Sequence, residues 1–204
     1  MPYLVMGYTQ GTGSNIWTTL YTVANDLSNM AAVPGNPAGN LTTTTDGNGT
    51  WIDHYYGTGT ARTQKLDTWT FYRNTYYRIT LRTANADYLA NYLNYVIIGP
   101  FQIRGYRDGD DWVTLRHTDD AWDNSYVNAI VGNTRDAYAE WEILYSPIDA
   151  STAQLTVNKN GSPFGSRVVD HSDYALDGST WQTLRLDINN DRHRVGDVTV
   201  EYHN

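Results

Sequence analysis

Cysteine is absent from this chain of 204 residues. That excludes a disulfide framework, a thiolate nucleophile and any cysteine-based metal site. Lysine and glutamate are scarce. The 14 basic residues include two lysines, Lys65 and Lys159, and the 22 acidic residues include three glutamates, Glu140, Glu142 and Glu201. Glu and Lys favour helix surfaces whereas Asp favours turns, so the bias predicts many turns and little exposed helix. A basic excess is missing too. The net charge of −8 argues against a nucleic-acid backbone as partner. No apolar run is long enough to span a membrane, so no membrane insertion is expected. The opening Met1-Pro2-Tyr3-Leu4-Val5-Met6 has no basic residue ahead of an apolar stretch, which predicts synthesis in the cytoplasm without an export signal.

Motifs for chemistry are missing as well. His54, His117, His171, His193 and His203 show neither the i,i+2 strand spacing nor the H-E-x-x-H spacing of a metal site. Asp108, Asp110 and Asp111 crowd oxygen atoms around Gly109, but the calcium-loop pattern with its distal Glu is not completed, and a hydrated turn accounts for them. Asp170-His171-Ser172-Asp173 holds the residue types of a catalytic triad, yet neighbours on one segment cannot converge as a triad does, and there is no G-x-S-x-G elbow. The expectation is no cofactor, no metal and no catalytic residue. Asn40-Leu41-Thr42, Asn48-Gly49-Thr50 and Asn160-Gly161-Ser162 match the glycosylation pattern, as chance allows in a chain rich in Asn and Thr.

What is present is aromatic and repetitive. There are 17 Tyr and 7 Trp against 3 Phe, a set suited to interfaces and wet surfaces because each ring carries a polar edge. A nine-residue frame, D-G-x-x-W-x-T-L-R, occurs at Asp108–Arg116 and again at Asp177–Arg185. It reads as an Asp-Gly turn followed by a strand that opens with Trp. Trp and Leu lie three apart and so face opposite ways on a regular strand.

Along the chain, residues 1–50 read as an N-terminal arm, a helix and a loop, and residues 51–204 as a β-sandwich domain. Ile16, Leu20, Val23, Leu27 and Met30 recur at helical spacing, which predicts a helix over Asn15–Met30. Ala31–Pro37 reads as a loop, and Leu41–Thr50, rich in Thr and Gly, as a mobile hairpin or loop. From Trp51 the period shifts to two. Tyr88, Leu89, Tyr92 and Leu93 fit a short crossover helix within Asn85–Tyr95. Strands follow at Trp112–Arg116, Tyr138–Tyr145, Gln154–Asn158, Trp181–Ile188 and Val198–Tyr202, with a turn at Asn160-Gly161 and a polar hairpin loop at Asn189–Asp197. The predicted class is mainly β: an antiparallel β-sandwich or jelly roll with one N-terminal helix and one short crossover helix.

Two groups of residues could do something. Tyr55 and Tyr56, flanked by Trp51 and Gly57-Thr58-Gly59, and Trp122 and Tyr126 among Asp and Asn residues, are how a protein stacks on a sugar ring; they are also how subunit interfaces look, and the interface is the preferred reading. Tyr55, Tyr56 and Trp122 are therefore the ligand-binding candidates. Glu140 and Glu142 share one face of a strand, as paired glycosidase carboxylates can. In the E-x-D-x-x-E strand pattern of some jelly-roll glycanases the third acid would fall on Tyr145, so a solvated strand face explains them as well.

The Gly-rich opening arm, first helix and Trp-bearing strands together resemble small tailed-bacteriophage virion proteins of the tail or capsid-decoration kind. Thr180–Asp187, with the Asn160-Gly161 hairpin, looks like strands of concanavalin-like lectin sandwiches. The first resemblance implies a non-enzymatic, oligomeric virion structural protein of tail, tail fibre or capsid surface, whose partners are copies of itself and other virion proteins. In that setting Met1–Ser14 and Val33–Thr50 would reach into neighbours. The second implies a carbohydrate-binding module or receptor-binding appendage facing cell-surface glycan. A glycan hydrolase or lyase built on Glu140 and Glu142 is the third reading.

Overall fold

The computed structural model describes residues 16–85, 94–105, 111–115, 129–132, 138–170 and 178–203. These residues form antiparallel strands and, among them, no helix. The chain runs β1 (Thr18–Thr22), β2 (Met30–Ala32), β3 (Asn40–Asp46), β4 (Gly49–Lys65), β5 (Thr68–Phe71), β6 (Tyr76–Asn85), β7 (Asn94–Ile98) and β8 (Phe101–Gly105). It continues through β9 (Asp111–Leu115), β10 (Ile130–Gly132), β11 (Tyr138–Pro147), β12 (Thr152–Lys159), β13 (Ser162–Asp170), β14 (Ser179–Gln182) and β15 (Arg185–His203).

The long strand β15 ties two layers together. Its start, Arg185–Ile188, lies between β4 and β7, and β8, β9 and β10 extend that layer outward. Its end, Thr199–His203, lies between β6 and β1, and β11, β12 and β13 extend the other layer. The hydrophobic core sits between them. Ile79, Trp141, Ile143, Leu155 and Val157 come from one layer, and Val96, Ile98, Ile103, Val113 and Leu115 from the other. The period of two predicted for Tyr138–Tyr145 is what β11 shows: Ala139, Trp141, Ile143 and Tyr145 are buried and the alternate residues face outward. β12 and β13 close at Asn160-Gly161, whose φ angles of 52° and 72° make the left-handed two-residue turn that this pair favours.

Many of the rings go inside. Trp69, Phe71, Tyr77, Phe101 and Tyr145 pack with neighbouring centroids 5.0–6.5 Å apart. The buried hydroxyls of Tyr77 and Tyr145 and the Trp141 indole find partners, whereas Trp69 Nε1 has no hydrogen-bond partner among the described residues. Tyr145 donates to the Arg73 carbonyl at 2.9 Å, Tyr77 accepts from the Tyr72 amide at 2.9 Å, and Trp141 Nε1 donates to Thr83 at 2.9 Å. The two lysines are inside as well. Lys65 Nζ is held by the Ser28 and Asp26 carbonyls and the Asp26 carboxylate. Lys159, on β12, pairs with Asp111, on β9, at 2.5 Å across the end of the sandwich, with Trp141 and Phe164 beside its Nζ.

Several expectations are corrected. Asn15–Met30 is not a helix: Thr18–Thr22 is a strand and Met30–Ala32 another. The apolar residues at helical spacing do not share a buried face. Ile16 is 74% exposed, while Val23 is in the core. Three threonines and Tyr21 in β1 favour extended backbone, and the end of β15 offers them an edge to pair with. Val33–Thr50 contributes a hairpin, β3 closing onto β4 through Asp46↔Gly49. Asn189–Asp197 is not a hairpin loop but the middle of β15, carried past β4 and β6 with register shifts at Asn189/Asp191 and Gly196/Thr199. Of the expected crossover helix, Asn85 closes β6 and Asn94–Tyr95 opens β7; residues 86–93 lie outside the described residues.

The repeated frame is not a repeated structure. Trp112, Thr114 and Leu115 lie on one strand, β9, and only Leu115 of the three is in the core. In the second copy the strand breaks at Thr183, so Trp181 on β14 and Leu184 both reach the core. β14 pairs instead with β5, setting Trp181 against Trp69. The Trp69 ring in turn lies where a side chain at Gly99 (φ +56°) would stand, so the Gly99-Pro100 turn has to be a glycine turn.

Candidate functional site

The outward face of the layer containing β3, β4, β15, β6, β11 and β12 carries two hollows. Antiparallel partners share a face, so the register defines its rows. Asn40, Tyr55 and Arg192 form one row; Thr42, Asp53 and Arg194 the next. Farther across, Arg82 pairs with Glu140, and Thr80 with Glu142 and Asn158.

The first hollow, of about 390 Å³, is lined by Asn40, Thr42, Asp53, Tyr55 and Arg192. Its organising group is Asp53, 1% exposed. Arg192 donates Nε to Oδ1 at 2.8 Å and Nη2 to Oδ2 at 2.6 Å, and Arg194 Nε donates to Oδ2 at 2.9 Å. Burial pushes the Asp53 carboxyl up, but the hydrogen bonds and charges of Arg192 and Arg194 together outweigh it and hold the group below the usual carboxylate range. Asp53 is thus ionised at neutral pH and fixes two guanidinium groups in place. Beside it Tyr55 is 45% exposed and offers an aromatic surface.

The second hollow, also about 390 Å³, is lined by Thr80, Leu81, Arg82, Glu140, Trp141, Glu142, Asn158, Gly161 and Asp197. Tyr138 donates to Glu140 at 2.6 Å, Asn158 donates to Glu142 at 2.7 Å, and Arg82 pairs with Asp197 at 2.5 Å. Burial, then the Glu140 carboxylate, raises the Tyr138 hydroxyl above its ordinary pKa, so it remains a donor. Trp51 joins the hollows. The Tyr138 ring meets it edge-on at 5.8 Å, the Arg82 guanidinium lies 4.5 Å from its centroid, and its Nε1 donates to Asp46 at 3.0 Å. Asp46 also pairs with Arg194 at 3.3 Å.

Glu140 and Glu142 do share a face, on a strand flanked on both sides by others. Each carboxylate is engaged by a neighbouring donor. Tyr145, at the position of the missing third acid, is fully buried on the opposite face. Tyr55 and Tyr56 are not brought together: successive residues of β4 point to opposite sides, and only Tyr55 lines the hollow. Trp122 and Tyr126 lie outside the described residues. The Asp53–Arg192–Arg194 group was missed because Asn189–Asp197 read as a loop. The usable signal was period two: Asp53-His54-Tyr55 and Arg192-His193-Arg194 each alternate, with opposite charges on one parity.

The opposite layer also has an outward face, and it is buried. Tyr95, Ile97, Gln102, Arg104, Arg185 and Asp187 lie on the parity away from the core, and each is under a tenth exposed. Arg185 grips Asp187 through Nε at 2.9 Å and Nη2 at 3.1 Å. Arg104 lies over the Tyr95 and Trp112 rings at 5.3 and 5.7 Å.

No family model and no curated protein matches the sequence. Solved structures do match the fold. The PL-14 alginate lyase from the marine Aplysia kurodai superposes with a TM-score of 0.56 at 7% identity, over 90% of this chain and 98% of that one. A Bacillus subtilis protein with a galectin-like fold gives 0.55 at 10% identity, over 91% and 97%. The carbohydrate recognition domain of Emp47p gives 0.51 at 10% identity, over 95% and 99%. The chain therefore has a galectin- and lectin-like β-sandwich fold, and the likeness extends over nearly its whole length.

Proposed function

We propose that this protein is a carbohydrate-binding β-sandwich that receives a saccharide in the hollow of Asn40, Thr42, Asp53, Tyr55 and Arg192. The observation that carries this reading is an exposed tyrosine ring beside fixed polar groups. A sugar ring presents an apolar C–H face and a rim of hydroxyls. Tyr55 supplies the surface for the first. Arg192, held by Asp53, and the side chains of Asn40 and Thr42 supply donors and acceptors for the second. Holding Arg192 in advance lowers the entropy lost on binding.

Similar folds belong to proteins named as carbohydrate recognition domains and to one named as an alginate lyase, which supports glycan as the ligand class. They favour this reading over a virion structural role, for which none of the likenesses speaks. Binding without bond cleavage fits the engaged Glu140 and Glu142 and the absent third acid. A glycan array, followed by calorimetry on the strongest hit, tests the proposal. Tyr55→Ala should weaken binding at least tenfold with the circular dichroism spectrum unchanged; equal affinity in that variant would remove Tyr55 as the platform. Release of new reducing ends from that glycan, abolished in Glu140→Gln or Glu142→Gln, would make the protein an enzyme instead.

A further inference from the structure

The strand β3 lies at a sheet edge. Among the described residues it pairs with β4 alone. Sheet edges are commonly blunted by charge, proline or a bulge. The other long edge strand, β13, has Pro163, Gly165 and Arg167 and a register shift opposite Val157/Asn158. β1 is short and shifts register between Thr19 and Tyr21. β3 is Asn-Leu-Thr-Thr-Thr-Thr-Asp, seven residues in unbroken register, with its one charge at the last position.

The backbone groups of β3 alternate in direction, and the pairing of β4 fixes which ones face it. On a strand, residues facing one side all aim their N–H and C=O the same way. Core-facing Lys65 donates its amide to Leu184, next to β15, whereas outward Arg62 exchanges with Val33 and Pro37 on the other side. Core-facing Ile52 therefore bonds toward β15, and outward-facing Asp53 and Tyr55 bond toward β3. Their partners Thr42 and Asn40 are satisfied by β4, which leaves the amides and carbonyls of Leu41, Thr43 and Thr45 aimed at the open edge.

We infer that two copies of the chain join by antiparallel β3–β3 pairing about a two-fold axis at Thr43. That register sets Thr43 against Thr43 of the second copy, Leu41 against Thr45, Thr42 against Thr44 and Asn40 against Asp46. The open backbone groups meet one another in about six hydrogen bonds. Thr–Thr pairs are favourable neighbours, the Asn40 amide meets the Asp46 carboxylate, and no like charges face each other. The axis stands normal to the sheet, so both outward faces look the same way. The two Tyr55 hollows then lie roughly 25 Å apart on one continuous surface, from strand spacing and residue rise. If the saccharide reading above holds, the assembly is bivalent toward a long glycan.

The association is tested without any ligand. Light scattering coupled to size exclusion on the full chain, from micromolar to hundreds of micromolar, should show a species of twice 23.1 kDa. Thr43→Pro removes an edge donor and no bond to β4, so it should give a monomer with an unchanged circular dichroism spectrum. Because the chain lacks cysteine, Thr43→Cys offers one thiol per copy. Facing α-carbons about 5.5 Å apart suit a disulfide, so mild oxidation should yield a covalent dimer, and Thr22→Cys on β1 should not. A wild-type monomer throughout, a dimer that survives Thr43→Pro, or crosslinking through Thr22→Cys in place of Thr43→Cys overturns the proposal. A dimer that fails on every glycan leaves the pairing standing and sinks the saccharide reading alone.

Discussion

Two of the buried carboxylates that sit with cations, Asp111 and Asp53, do different work. Asp111 meets Lys159 between the layers, each under a tenth exposed, with aromatic rings around the ammonium. Asp53 is equally buried, but its partners Arg192 and Arg194 reach outward, with side chains 33% and 20% exposed. The interior pair joins one layer to the other and offers nothing to solvent. The outer group turns a buried anion into a mount for cations that a ligand can touch. Burial of one partner alone is what leaves the outer group's cations within reach of solvent, as the proposed saccharide site requires.

Breaking the interior pair gives the largest effect. Lys159→Ala takes the paired cation away from buried Asp111, and urea denaturation should show a loss of about 3–5 kcal/mol. The double variant Lys159→Met with Asp111→Leu should recover most of it, because a packed apolar pair needs no counter-charge. No recovery would mean that the ion pair itself, rather than the cost of a buried carboxylate that has lost its cation, sets the stability. Asp53→Ala should cost less, about 1.5–3 kcal/mol for the lost charged hydrogen bonds, since Arg192 and Arg194 can turn to water. It should also weaken saccharide binding, which Lys159→Met with Asp111→Leu should leave alone.

Acid sharpens the same contrast. Burial lowers the pKa of His54, against the opposing hydrogen bond to Ala38. The unfolded chain therefore takes up that proton first, and stability should begin to fall below about pH 6.5. The Asp53 carboxyl is also depressed, so its contribution is full above the ordinary carboxylate pKa and is lost as pH falls through its lower folded value. Thermal melts from pH 8 to pH 3 should show two steps, with the upper one absent in His54→Gln. The smallest stability change belongs to Tyr55→Ala, within about 0.5 kcal/mol because the ring is half exposed. A larger loss would make Tyr55 a packing residue.

The sequence was most legible where local chemistry and tertiary need agree. β11, β12 and the Asn160-Gly161 turn that follows β12 come from period two and from two residues that accept positive φ. It misled where a partner strand decides. Ile16 to Met30 has helical spacing, yet the end of β15 takes Thr18–Thr22 as its neighbour. Arg192, Arg194 and Asp197 look like loop residues until Asp53 and Arg82 are placed opposite them, 139 residues away in the case of Arg192 and Asp53. The candidate site was half legible for the same reason: Tyr55 shows itself as an aromatic near glycines, but its polar companions come from β3 and β15.

The placement of the two lysines has a practical edge. With Lys65 held by backbone carbonyls and Lys159 sealed between the layers, a reagent that attacks ε-amines meets neither on the native surface. Covalent attachment through lysine side chains will fail on the folded protein. The same reagent becomes a clock for opening: Lys159 can be modified only when the layers part, Lys65 when the turn at Asp26–Ser28 releases it, and mass spectrometry of the two sites would time these events separately.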